Sequence, residues 1–190
     1  MIKDLILKNR SYRRFYQERL IETSTLRELV DLARLSPSGR NIQALKYVLA
    51  NTEEKNSKIY ENIHWAGYYK DWDGPKDGEK PSAYIAVVKD NSLGISMMQD
   101  QGIAVQSILL GAVEKDLGGC IIGNIDKKSL SEKLNLDEKY EIVLVLALGY
   151  PKEEVVIEET NQVGDVRYWR DENEVHHVPK RTLDELILYC

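Results

Sequence analysis

The side chains best suited to chemistry in this sequence are cations, and they sit near its two ends. Asn9 to Phe15 reads NRSYRRF, so Arg10, Ser11, Arg13 and Arg14 fall within five consecutive positions. Guanidinium forks match phosphate oxygens and a hydroxyl adds a donor, so this knot can clamp a phosphate; it can equally be solvated surface. Extended chain would put Ser11 and Arg13 on one side, Tyr12 and Arg14 on the other. Lys180 and Arg181 stand near the other end. Which of them would face a ligand depends on register, because a one-residue slip exchanges their faces.

Three further stretches could line a ligand. Ser36 to Gln43, SPSGRNIQ, combines the turn formers Pro37, Ser38 and Gly39 with Arg40, Asn41 and Gln43, whose side chains give directed hydrogen bonds. It reads either as a polar binding loop or as a surface turn. Gly118 suits the left-handed position that closes a helix, and Gly119, Cys120, Ile121 and Ile122 follow as a short strand. The glycines could also admit a ligand close to the backbone. His64 to Pro81 holds Trp65, Tyr68, Tyr69 and Trp72 among glycines and prolines. A loop of this length with so many amphipathic rings reads as a lid or an interface.

Other chemistries have no matching pattern. His64, Cys120, His176 and His177 show no CxxC, HExxH or His-x-His spacing, so a metal site is not expected. Neither GxGxxG nor GxxxxGK[ST] occurs. Cys120 reads as a small buried hydrophobe, and no pair of carboxylates stands apart from the solvated charge. Anion-binding cations without an acid–base pair suit a protein whose cofactor carries the reaction.

The elements that would position these residues follow from periodicity and caps. The chain has 190 residues, enough for one domain with a sizeable core, and 43% of them are hydrophobic, as in ordinary globular proteins. The net charge of -5 argues against nucleic acid, which needs a basic face. The longest apolar run, Ile142 to Leu148, is far below the roughly 18 residues of a membrane span. The first residues, with Asp4 and no long apolar core, do not form a secretory signal, and two cysteines give no disulfide framework; a cytoplasmic protein is expected. Met1 to Lys8 has helical spacing. Thr25 and Glu28 form a capping box that would start a helix near Leu26, stopping before Pro37. Tyr47 to Ala50 reads as a strand, and Asn51 with Glu54 would cap a helix to about Ile63. Ala83 to Val88 is a strand, and Met97 to Gly123 a core helix feeding a core strand. Asp126 caps a short helix, and Ile142 to Leu148 is a central strand buried on both faces. From Pro151 onward the chain is too polar for a core of its own, so this tail is either loosely attached or embraces a partner.

Taken in order, these segments resemble the FMN-dependent nitroreductase family. The resemblance rests on Arg10-Ser11-Tyr12-Arg13-Arg14-Phe15, on Pro37 to Gln43, on the long helix with its glycine turn from Leu117 to Gly123, and on Lys180 and Arg181. It implies an α+β fold: a three-layer sandwich with a mostly antiparallel central sheet between helices, forming an intertwined homodimer with FMN at the subunit interface. Residues 1–190 would be one domain, the tail of about 151–190 wrapping the partner. By carry-over, Arg10, Ser11 and Arg13 would hold the phosphate and ribityl chain, with Lys180 or Arg181 assisting. Pro37, Ser38, Gly39, Arg40, Asn41 and Gln43 would come from the partner subunit, and Gly119, Cys120, Ile121 and Ile122 would offer backbone N–H groups to the ring. NAD(P)H would reduce the flavin and a small electron-poor acceptor, a nitroaromatic or quinone, would then take its place. No side chain need act as a catalytic acid. Trp65, Tyr68, Tyr69 and Trp72 would cap the substrate side, or simply pack. Ala44 and Leu45 replace the Pro-aromatic pair common after the motif glutamine, so that wall of the site would differ. The alternatives are a flavin-binding protein without turnover and a clamp for some other phosphate ligand.

Overall fold

Every pairing in the central sheet is antiparallel. The computed structural model describes residues 1–94, 98–160 and 165–188. Met97, where the predicted core helix begins, and Cys190 lie outside the described residues. Strands β1 (Leu45–Ala50), β2 (Ala83–Asp90), β3 (Gly118–Ile122) and β4 (Tyr140–Gly149) are arranged β1-β2-β4-β3. The interior strands β2 and β4 are the two long apolar runs, and helices cover both of their faces. On one side, Ile85, Val87, Leu144, Leu146 and Leu148 pack with α2 (Thr23–Leu35) and α4 (Met98–Glu114). On the other, Tyr84, Ala86, Val88, Val145 and Ala147 pack with α3 (Glu53–Tyr60) and α5 (Lys127–Lys133). Ile142 joins the second set rather than the first because the register slips between Val87 and Val88, a bulge that resets the alternation. The result is the expected three-layer α+β sandwich. Each fully buried Leu, Ile or Val contributes roughly 1.5–3 kcal/mol.

Several boundaries differ from the sequence reading. Helix α2 begins at Thr23, with Glu22 at its N-cap and no capping side chain, so the Thr25–Glu28 box does not form. The extra turn follows Ile21, which is buried, and Thr23 Oγ1 accepts a hydrogen bond from Asn51 Nδ2 at 3.0 Å. Asn51 is thereby spent, and Thr52 instead caps α3, which ends at Tyr60 rather than Ile63. Asp116, at φ 57°, takes the left-handed position assigned to Gly118; Gly118 already belongs to β3. Asp tolerates that region better than most side chains. Helix α4 is buried along Ala104, Val105, Ile108, Leu109 and Ala112, but Ile103 is 38% exposed, so the helix is not covered all round.

Residues after Pro151 are not loosely attached. They build a second sheet, with β7 (His176–Lys180) between β5 (Val155–Glu159), parallel, and β6 (Trp169–Arg170), antiparallel. This sheet is held by its own ladder and by ties to Arg13, Tyr69 and Glu153. Beyond it, α6 (Leu183–Leu186) carries a Thr182–Glu185 capping box and leaves Leu183, Leu186 and Leu188 exposed. The first helix, α1 (Ile2–Lys8), lies where expected.

Candidate functional site

The basic segment Asn9 to Phe15 lies along the edge of β3. Ser11 bridges Gly119 in parallel, and Tyr12 N–H donates to the Gly119 carbonyl at 3.0 Å. Contact with the chain itself accounts for both glycines. A Cβ on Gly118 would collide with the Tyr12 ring and sit 2.7 Å from Pro151 Cγ; one on Gly119 would come within 2.6 Å of Leu109 Cδ2 and 2.9 Å of the Ala147 carbonyl.

Glu153, hidden in the acidic tail, fixes the segment from behind. Its side chain is 2% exposed, accepts the backbone N–H groups of Arg13 and Arg14, and pairs with Arg170 at 2.7 Å. Arg13 is itself buried. It donates from Nη1 to the Ser11 carbonyl at 3.2 Å and to His176 Nε2 at 2.9 Å, and its guanidinium lies 4.6 Å from the Tyr168 ring centre. A guanidinium can only donate, so Nε2 of His176 carries the lone pair and Nδ1 the proton. Nδ1–H then donates to Tyr69 Oη at 2.5 Å. Burial, reinforced by Arg13 and Arg170, lowers the His176 pKa from 6.5 to about 3, so the ring is neutral near pH 7.

Strand alternation turns His176, Val178 and Lys180 toward one side of β7. They meet Arg10, Ser11, Arg13, Gly119 and Ile121 around a cavity of about 300 Å³. Six residues predicted from sequence thus come together there: Arg10, Ser11, Arg13, Gly119, Ile121 and Lys180. Nε of Arg10 and Nε of Arg13 are buried there without a hydrogen-bond partner. Burial also holds Arg10 below the usual guanidinium range, while Tyr12 pulls the other way. Buried guanidinium donors left unsatisfied beside a hydroxyl and an ammonium form the donor set that a phosphate completes. The residues present therefore fit the phosphate end of FMN.

Other predicted residues lie elsewhere. Arg181 pairs with Glu185 at 3.4 Å instead of facing the cavity. Cys120 and Ile122 point to the opposite face of β3, into the core beside α3 and α5, and burial raises the Cys120 thiol pKa. Pro37, Ser38 and Gln43 line a separate cavity of about 160 Å³ with Asp100. Arg40, Asn41 and Gln43 all have positive φ, at 52°, 55° and 54°. Three such residues in four positions cost of order 1–3 kcal/mol each unless the surroundings hold them. Asp100, buried in the first turn of α4, does so: its carboxylate accepts from Ser38 Oγ and from Gly39 N–H, each at 2.8 Å. The Arg40 and Asn41 side chains are exposed.

The aromatic stretch divides. Trp65 is core, 8% exposed, its ring 6.4 Å from those of Tyr60 and Trp72. Tyr69 reaches His176, and Tyr68 lies exposed beside Tyr168, their ring centres 4.8 Å apart. With Trp72 and Arg170, Tyr68 and Tyr69 border an open groove of about 470 Å³. Sequence reasoning missed the parts played by His176, Glu153, Tyr168 and Asp100. One usable signal was Asp100, a lone carboxylate opening an otherwise apolar helix.

Among the described residues no group of three or more His, Cys, Asp and Glu side chains could hold a metal, and no helix is long and apolar enough to cross a membrane. The nitroreductase family model matches residues 6–150, and the chain belongs to that family. It is 27% identical over 149 residues to an Archaeoglobus fulgidus protein provisionally assigned as an NADH dehydrogenase/NAD(P)H nitroreductase, covering 74% of this chain and 80% of the relative. The structure of a nitroreductase family protein from Streptococcus pneumoniae superposes with a TM-score of 0.70 at 18% identity, over 100% of both chains. An FMN-dependent nitroreductase from Clostridium difficile superposes with a TM-score of 0.64 at 23% identity, over 81% of this chain and 89% of that one. At these identities the structural matches establish the fold.

Proposed function

We propose that this chain is an FMN-dependent oxidoreductase that takes reducing equivalents from NAD(P)H and passes them to small electron-poor acceptors such as nitroaromatics or quinones, working as a homodimer. The observation that carries this reading is the meeting of Arg10, Ser11 and Arg13 with Lys180, 170 positions beyond Arg10, around one cavity with two orphaned guanidinium donors. Family membership and the names of the relatives support the oxidoreductase class and the cofactors.

FMN bound there would supply the hydride chemistry. Arg10, Arg13, Ser11 and Lys180 would hold its phosphate and ribityl chain, and the β3 edge at Gly119 and Ile121 would border its ring. Neutral His176 keeps Arg13 pointed into the cavity without adding a competing positive charge. Glu153 fixes the backbone of the same segment and neutralises Arg170, which leaves Arg13 available to an anion. Net positive charge at the cavity favours electron-rich states of a bound group. In a dimer, the strained Pro37–Gln43 loop would complete the site from the second copy. Two observations support that arrangement: within one chain the loop borders a different cavity, and Met98 and Ile103 on α4 are left exposed.

The test is steady-state oxidation of NADH and NADPH by FMN-loaded protein, with a nitroaromatic and a benzoquinone as acceptors. Turnover with at least one pair is expected. FMN-loaded protein that oxidises neither nucleotide would contradict the reading.

A further inference from the structure

The candidate cavity and the open groove beside the aromatic stretch share no lining residue. Tyr69 borders the groove, His176 borders the cavity, and the hydrogen bond between their side chains joins the two. Tyr168 packs beside that bond. Its ring centre lies 5.3 Å from those of both Tyr69 and His176, and 4.6 Å from the guanidinium carbon of Arg13. On the groove side, Tyr69 meets Trp72 edge-on with ring centres 6.0 Å apart, and Arg170 lies 5.1 Å from the Tyr69 ring centre.

The bond bears on Arg13 through the histidine tautomer. A neutral imidazole donates from one nitrogen and accepts at the other. Arg13 Nη1 needs an acceptor at Nε2, and the Tyr69 hydroxyl gives Nδ1–H the partner that this tautomer requires. His176 is 1% exposed, so loss of the hydroxyl would leave a buried N–H unpaired, which is costly. A ring that moved its proton to Nε2 to escape that cost would set N–H against N–H and turn Arg13 away. Conversely, an anion that fixes the Arg13 fork fixes His176, and with it Tyr69.

We propose that Tyr69 is a positioning residue for the cavity: through His176 it holds Arg13 toward a bound phosphate, and phosphate binding in turn orders residues 68–72. The inference rests on the flavin reading, in which that phosphate belongs to FMN. The groove bordered by Tyr68, Tyr69 and Trp72 would thereby be firmest in the loaded protein.

The test is a double-mutant cycle on FMN binding, read by flavin fluorescence in the full chain freed of cofactor. It compares wild type, Tyr69→Phe, Arg13→Gln and the double variant. Tyr69→Phe removes only the hydroxyl and should weaken FMN binding about three- to tenfold, the share of one neutral hydrogen bond. In the Arg13→Gln background the same change should cost less than about twofold, because the group that Tyr69 positions is gone. A general structural defect would weaken both backgrounds alike. Amide exchange gives a second readout: saturating FMN should slow exchange of residues 68–72 in the wild type, and less so in Tyr69→Phe. Wild-type protein that binds no FMN would contradict the flavin reading itself. Where the wild type does bind FMN, three results would each overturn the Tyr69 inference alone. They are unchanged affinity in Tyr69→Phe, equal losses in both backgrounds, and exchange of residues 68–72 that FMN leaves unaltered.

Discussion

At the scale of single residues, the account turns on Arg13 and the histidine that holds it. Arg13 gives up Nη1 to Ser11 and His176 but keeps a buried Nε free. A charge-assisted bond is worth about 1.5–3 kcal/mol, so Arg13→Gln should weaken FMN binding roughly 10–100-fold by fluorescence titration. His176 also makes stability depend on pH. Its native pKa, about 3, is depressed below the ordinary 6.5, so between those values the unfolded chain binds more protons than the native one. The stabilisation of the neutral ring is fully present above about pH 6.5 and is lost as pH falls toward 3. Wild-type Tm should therefore drop across this window, and His176→Gln should flatten the drop; equal slopes in the two proteins would count against the buried neutral ring. The sequence made the cations legible because phosphate chemistry selects few residue types. It did not show the role of His176, because its partners Tyr69 and Arg13 are 107 and 163 positions away. Neighbouring positions of a strand face opposite ways, and His177 stacks on Trp169 on the other face of β7, at 4.1 Å.

At the scale of elements, the strand after α4 borders the candidate site, and the loop after α2 would complete it from the second copy of the proposed dimer. The loop keeps three non-glycine residues at positive φ, and Asp100 satisfies both Ser38 and Gly39. Asp100→Ala strands two donors and releases the strain, so a loss of about 1–3 kcal/mol is expected in urea unfolding, with faster amide exchange confined to residues 38–43. In β3, Gly119→Ala pushes a methyl against Leu109, Leu148 and the Ala147 carbonyl. Overpacking of this kind costs about 1–3 kcal/mol, readable in the same unfolding experiment. Apolar periodicity revealed which elements exist, since strands β2 and β4 and helix α4 bury nearly continuous apolar runs. It did not place their ends. Thr25 and Asn51 had suitable side chains for capping, but tertiary contacts decided which turn came first. Trp65 shows the same limit: an aromatic in a glycine-rich loop reads as a lid or as packing, and contacts with Tyr60 and Trp72 made it core.

At the scale of the whole molecule, the sheet brings the first residues, the β3 edge and the folded-back tail to one place. The sandwich is expected from the family resemblance; the residues themselves show two long apolar strands and the helices between them. The second sheet could not be read from sequence, since β5, β6 and β7 are short and polar and β7 is tied through His176 to Arg13 and Tyr69, which are distant in sequence. The proposed dimer would cover Ile103 on α4 and the exposed Leu183, Leu186 and Leu188. Light scattering should then give twice the chain mass, and removal of residues 183–188 should weaken that association. The central claim is that the cavity between Arg13 and Lys180 holds FMN. Its most direct test is the absorbance spectrum of protein purified without added cofactor, followed by acid release and chromatography, for wild type and Arg13→Gln in parallel. The account predicts released FMN near one per chain in the wild type and marked depletion in the variant. A colourless wild-type protein that also fails to take up added FMN would contradict it.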